Sequence, residues 1–206
     1  MTDEQKQSRD TEALILQAAE KEFLEKGYAA AKTTDIAEAA GVTHAMFHYY
    51  FRTKDKLFEK IVSEKIDKLG EILLGVTGNP ELPLKERIRN GIERHFDFIA
   101  ANPALPRFII NEIAIHPERI NLIRANLIEK AKTVIENLQA ELDRLPGVNT
   151  TALMLIADII SLNLFPFIGA PILGTIANDF LKGYDELLEM RKQENVKTIL
   201  SKLNLI

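Results

Sequence analysis

The stretch TTDIAEAAGVTHAMFHYYF, residues 33–51, decides the fold. Thr33 or Thr34 can cap a helix, Asp35 suits its positive end, and Ile36, Ala37, Ala39 and Ala40 give it a compact apolar side before Gly41 ends it. After Val42, Thr43 is a second candidate N-cap, opening a short helix through Tyr50 that stops near Phe51 and Arg52. Two short helices across a glycine-containing turn are the sequence form of a helix-turn-helix, whose second helix can enter a DNA major groove. Ala37, Ala40 and Gly41 permit a close crossing; Ile36, Val42 and Phe47 can lock the pair, and Phe51 can pin its end.

Outward from that core the chain stays helical. Over 9–26, Ile15, Ala19 and Phe23 recur at i, i+4 and i+8, and Gly27 supplies a C-terminal stop. Thr53 caps a longer helix over 54–76. Breaks at Asn102-Pro103, Pro117, Pro146-Gly147 and 166–174 divide the rest into helices near 83–101, 104–115, 118–145, 149–165 and 178–203. Strand alternation and hairpin dipeptides are missing, so the fold class is all-α, with domains at 1–53 and 54–206.

Composition narrows the function. The 206 residues are 46% hydrophobic and 27% charged, enough for a real core. The absence of cysteine removes disulfides, thiolate zinc sites and cysteine nucleophiles. The polar, acidic start is not followed by the apolar run of a secretory signal, so a cytoplasmic location is expected. No G-x-S-x-G, glycine-rich phosphate loop or carboxylate pair in a site loop is present; an enzyme is not expected, and no cofactor is called for. Residues 159–178 carry no charge and are long enough to span a bilayer, but Pro166, Gly169, Pro171 and Gly174 interrupt them and Asp158 and Asp179 flank them. The stretch reads as a buried helix and turn, with no membrane partner.

With a formal net charge of −4, any nucleic-acid surface has to be local. Arg52, Lys54, Lys56 and Lys60 against Asp55 and Glu59 form a small positive island, to which His44 and His48 can add. His44, Ala45, Met46, His48 and Tyr49 stay outside on a helix that buries Phe47. His44 can donate to a base edge, Ala45 and Met46 can touch a thymine methyl, and Tyr49 or Tyr50 can bond phosphate oxygens. Lys54 adds charge at a helix start, where backbone amides already favour anions. The i, i+4 spacing of His44 and His48 is also that of zinc ligands, but there is no Glu at 45 and no nearby third ligand, so no metal is expected.

Ile15-Leu16-Gln17-Ala18-Ala19 with Phe23 and Gly27-Tyr28, then Asp35 through Thr43, then Phe47 through Phe51 and Lys54, resemble the TetR/AcrR family of transcriptional regulators over about residues 9–60. The resemblance implies an N-terminal three-helix DNA-binding domain and a larger C-terminal helical domain with a ligand cavity. It also implies a homodimer joined through the last two major helices, and repression of a double-stranded DNA operator relieved by a small molecule. Thr33 and Thr34 fall where the family faces backbone phosphates, Thr43, His44, Ala45 and Met46 where it reads bases, and Tyr49, Tyr50 and Lys54 where it contacts phosphates. The family's common Lys, Gly and Tyr are replaced by His44, Ala45 and His48, which leaves the operator sequence open. Histidine for lysine lowers the fixed charge, so binding is expected to be weaker near neutral pH and to tighten on acidification.

A dimer requires a palindromic operator with half-sites roughly 34–36 Å apart. The apolar stretch 153–176, which one small monomer can hardly bury, points the same way, and the helix over 54–76 is the expected lever. Phe96, Phe108, Leu122, Met154 and Phe165 offer bulk for a hydrophobic effector, and Glu112, His116 and Asp158 polar groups to orient it, although core packing explains most such residues equally well. The alternative is a helical ligand-binding protein that keeps the fold without using DNA; nine Lys/Arg against eleven Asp/Glu in residues 1–60 favour it.

Overall fold

A computed structural model describes residues 3–77 and 81–206; the side chains at 3–4, 73–74, 76–77, 122–127 and 129–130, Leu122 included, lie outside the described set. Among the described residues there are ten α-helices and no strand. These are α1 (Asp3–Ala30), α2 (Thr33–Ala39), α3 (His44–Phe51), α4 (Lys54–Thr77), α5 (Leu84–Ala100), α6 (Leu105–Ile115), α7 (Ile120–Leu142), α8 (Ala152–Ile168), α9 (Ala170–Phe180) and α10 (Tyr184–Lys202), with a 3-10 turn at Pro117–Arg119. The chain forms two compact units: Met1–Ile66 with Ile110–Ile123, and Asp67–Ile109 with Arg124–Ile206.

In the first unit the α1 stripe Ile15, Ala19 and Phe23 is buried with Ile36, Ala37, Phe47 and Phe51. Gly27 sits at φ 76°, ψ 161°, a backbone that a β-carbon would oppose. The kink it allows returns Tyr28 onto Phe23 and Phe58, at ring-centroid distances of 5.5 and 5.1 Å. The unit reaches past the boundary expected after Thr53, because Leu57, Phe58, Ile61, Val62 and Ile66 of α4 are buried too. It also takes in Arg119, whose guanidinium lies 3.9 Å from the Tyr28 ring centre and 4.7 Å from that of Phe58, and pairs with Glu112.

The second unit centres on α5, α8 and α10. Ile88, Ile92, Leu138, Leu142, Leu155, Val196, Ile199, Leu200 and Leu203 form its main core. Buried Arg87 forks onto both carboxylate oxygens of Glu141, one of them at 2.9 Å.

The break expected over 166–174 falls at Gly169, and the residues on either side of it are helical. Pro166 lies inside α8, where its missing N–H frees the Leu162 carbonyl. The Asn195 amide supplies the replacement hydrogen bond, donating from Nδ2 at 3.0 Å. Pro171 is accommodated in the first turn of α9, where an N–H has no intrahelical partner to lose. The last helix therefore begins at Tyr184 rather than near 178. α8 and α9 meet at 76°, and no single helix among the described residues is long and apolar enough to cross a membrane. Burial of residues 159–178 holds on one side only: Ile159, Asn163, Phe167 and Ala177 are buried, whereas Phe165, Ile172 and Ile176 are exposed on the single chain.

Candidate nucleic-acid interface

The α2–α3 pair is closed by local chemistry. Gly41 at φ 70° lets the turn donate backbone hydrogen bonds from Gly41 to Glu38 and from Val42 to Ala37, both at 3.0 Å. The Thr43 hydroxyl accepts from the Met46 N–H at 3.2 Å, the N-cap that its position implies. Phe47 and Phe51, one turn apart, are the buried residues of α3. Their burial turns His44, Ala45, Met46, His48 and Tyr49 outward, Tyr49 with 81% of its surface exposed.

Several of these side chains are already engaged. His44 Nε2 is 3.0 Å from the Thr33 hydroxyl, linking the starts of α2 and α3, and its ring lies edge-on to that of His48 at 4.4 Å. His48 Nδ1 donates to the Arg52 carbonyl at 2.9 Å. Thr34 donates to Asp35, and Tyr50 donates to Ser8 of α1 at 3.2 Å.

Lys54 is placed differently from the expectation. Its ammonium donates to the carbonyls of Tyr28 at 2.9 Å and Ala31 at 3.0 Å and sits 4.4 Å from the Tyr28 ring centre. It therefore caps the carbonyl end of α1, whose last C=O groups lack intrahelical partners, rather than adding charge beside free amides. The positive island is largely neutralised as well, since Lys56 pairs with Glu59 at 2.6 Å and Lys60 with Glu64 at 3.4 Å. Among the described residues, Arg52 and Lys32 are exposed cations bordering this face whose side chains make no ion pair. Lys32, at the N-cap position of α2, was not singled out from sequence; a lysine just before a capping Thr-Thr pair was the available signal.

Leu122 aside, the candidate effector residues divide between the two units, Glu112 and His116 in the first and Phe96, Phe108, Met154, Asp158 and Phe165 in the second. Phe96 is buried with Ile99 and Phe167, and Phe108 is half-buried on α6. Glu112 and His116 belong to the first unit, Glu112 paired with Arg119 and His116 Nδ1 3.4 Å from Glu118. On α8 the buried side carries Leu155, Ile159 and Asn163, which turns Met154 and Phe165 outward and leaves Asp158 paired with Lys202. The second unit instead holds a cavity of about 20 Å³ lined by Ile88, Gly91, His95, Val134, Leu138, Leu155, Ile156 and Ile159.

Next to that cavity lies a buried polar chain. Asn163 donates from Nδ2 to the Ile92 carbonyl at 2.9 Å and to His95 Nδ1 at 3.0 Å. Asn195 donates to Asn163 Oδ1 at 2.9 Å and accepts from Arg191 at 2.7 Å. Burial lowers the His95 pKa from 6.5 to about 4, so the ring is neutral with its proton on Nε2. Among the described residues, no group of three or more His, Asp or Glu is placed to hold a metal ion.

The family described as "Bacterial regulatory proteins, tetR family" matches residues 15–61. An uncharacterized HTH-type transcriptional regulator of Bacillus subtilis, YdgC, is 29% identical over 132 residues, 62% of this chain and 63% of that protein. The HTH-type transcriptional activator FasR of Mycolicibacterium smegmatis is 32% identical over 89 residues, covering 41% and 38%. The chain thus spans less than two thirds of either relative. The crystal structure of a putative TetR-family transcriptional regulator from Mesorhizobium loti shares the fold at TM-score 0.66 and 19% identity, over 98% of each chain.

Proposed function

The chain belongs to the TetR family of bacterial helix-turn-helix regulators, and from that premise we propose that it is a dimeric repressor whose α2 and α3 bind a palindromic DNA operator and whose second unit takes a small hydrophobic effector that releases it. The observation that carries this reading is the outer face of α3. Five side chains with groove-compatible chemistry, His44, Ala45, Met46, His48 and Tyr49, are exposed on a helix anchored by Phe47 and Phe51. Thr33, Thr34 and Tyr50 add hydroxyls at its edge, and Lys32 and Arg52 add charge for phosphates. The family and its matched relatives are regulators rather than enzymes.

A second copy is supported by the exposed apolar side of α8 and α9, where Met154, Phe165, Ile172, Ile176 and Phe180 face solvent on one chain. A two-fold pair of α3 helices then asks for half-sites about one helical turn, roughly 34–36 Å, apart. The apolar lining of the small cavity supports a hydrophobic effector, which would have to enlarge it. Such a protein works in the compartment that holds the DNA, the cytoplasm. The internal pairing of Lys54, Lys56 and Lys60 favours a second reading, a ligand-binding protein of the same fold that does not use DNA.

Selection of bound genomic fragments, followed by footprinting at several salt concentrations, separates the two. The regulator predicts a palindromic footprint and a steep fall of affinity with salt. Tyr49→Ala is expected to weaken binding by about tenfold or more, with the melting temperature unchanged because the side chain is exposed. A folded dimer that enriches no fragment at low salt sinks the DNA reading.

A further inference from the structure

His44 and His48 are both exposed, yet only His48 has its hydrogen-bonding polarity set by the backbone. The partner of His44 Nε2 is the Thr33 hydroxyl, which donates or accepts with equal ease. The partner of His48 Nδ1 is the Arg52 carbonyl at 2.9 Å, which only accepts, so Nδ1 carries the hydrogen. The carbonyl is presented there by Arg52 itself, held at φ 55°, ψ −47° where its own N–H bonds the His48 carbonyl. In the neutral ring Nε2 is then a bare lone pair, and no described residue bonds it.

The two imidazole rings lie edge-on to one another, with centroids 4.4 Å apart. On α2, Asp35 is held by Thr34 and lies 3.6 Å from Lys26, and Lys32 precedes Thr33. On α1, Arg9 and Asp10 follow Ser8, the partner of Tyr50. On α4, Lys54 is bound to the α1 carbonyls. Among the described residues no carboxylate pairs with either imidazole.

We propose that His48 is a specificity-determining residue of the interface, accepting a hydrogen bond through Nε2 from adenine N6 or cytosine N4 when neutral and meeting guanine only by taking up a proton. The inference rests on the DNA-binding reading above. In the major groove adenine and cytosine present amino donors, whereas guanine presents the acceptors N7 and O6. A lone pair set against those acceptors repels them. One proton from solvent forms an Nε2–H bond and turns the ring into a two-donor imidazolium, which bonds guanine and keeps its Nδ1–H on Arg52.

The test uses the full chain on its selected operator, with all four base pairs placed at the position whose contact is lost in His48→Ala, at pH 8 and pH 6. Guanine operators are expected to gain more affinity on acidification than adenine or cytosine operators, the difference growing by up to about tenfold per pH unit for the proton His48 takes up. His48→Gln, which both donates and accepts without titrating, should abolish the difference. Equal pH dependence for all four bases, or its persistence in His48→Gln, overturns the inference while leaving DNA binding intact. Nitrogen NMR of the free protein at pH 8 provides an independent arm: the Nδ1–H tautomer of His48 is expected, and the Nε2–H tautomer overturns the proposal whatever the DNA does. No bound fragment at any pH would remove the DNA-binding reading and this readout with it.

Discussion

His48 on α3 and His95 on α5 are the same side chain put to opposite use. His48 is exposed, donates through Nδ1 to a backbone carbonyl and has no described residue bonded to its other nitrogen. His95 is only 6% exposed, accepts through Nδ1 from the Asn163 amide, and is held neutral by burial. The difference shows how the two units spend their polar groups. Around α3 they cap, turn and face outward on a scaffold of a few buried aromatic rings. Between α5, α8 and α10 they are consumed internally: both amide hydrogens of Asn163 and both of Asn195 have acceptors, and each amide oxygen accepts.

The comparison can be broken most forcefully at Asn163. Replacing it by Leu strands His95 Nδ1 and one hydrogen of the Asn195 amide in the interior, and about 3 kcal/mol or more of stability should be lost in urea unfolding. A loss below about 1 kcal/mol would mean that the buried chain of amides is ornamental to the second unit.

Acid probes the same contrast almost as strongly. Because the His95 pKa in the folded chain lies below its ordinary 6.5, the unfolded chain binds the proton first. Its contribution is therefore complete above pH 6.5 and is lost progressively as the pH falls from 6.5 to about 4, by about 3 kcal/mol in all. Urea midpoints at pH 7, 5.5 and 4.5 should fall accordingly for the natural chain and less steeply for His95→Gln; parallel curves would show that burial does not hold this ring neutral. The smallest effect belongs to the first unit, where Thr43→Ala removes the α3 cap and should cost about 1 kcal/mol, with faster exchange of the Met46 amide hydrogen. Unchanged exchange at Met46 would argue that Phe47 alone orders the helix start.

What was legible in the sequence follows the reach of local interactions. The stripe of Ile15, Ala19 and Phe23, the positive-φ turns at Gly27 and Gly41, the Thr43 cap and the burial of Phe47 and Phe51 depend on neighbours within one or two turns. The fate of the lysines did not: Lys54 finds carbonyls more than twenty residues upstream. Arg119 finds Tyr28 and Phe58 across a far larger separation, and no spacing rule announces either meeting. On α8, periodicity permits several rotations, and packing against α5 and α10 selects the one that buries Asn163 and turns Met154, Asp158 and Phe165 away.

By itself the sequence determined the all-helical class, the helix-turn-helix and its exposed face, because caps, turns and apolar periodicity act between residues close along the chain. Only the tertiary structure decided that Pro166 remains in a helix, through an Asn195 amide contributed by α10. It likewise decided that both ring nitrogens' roles in His95 are fixed, through the Asn163 amide contributed by α8. A side chain's type announces what it can donate or accept, whereas the atom that meets it, and hence which of its capacities is left over, is chosen by the fold.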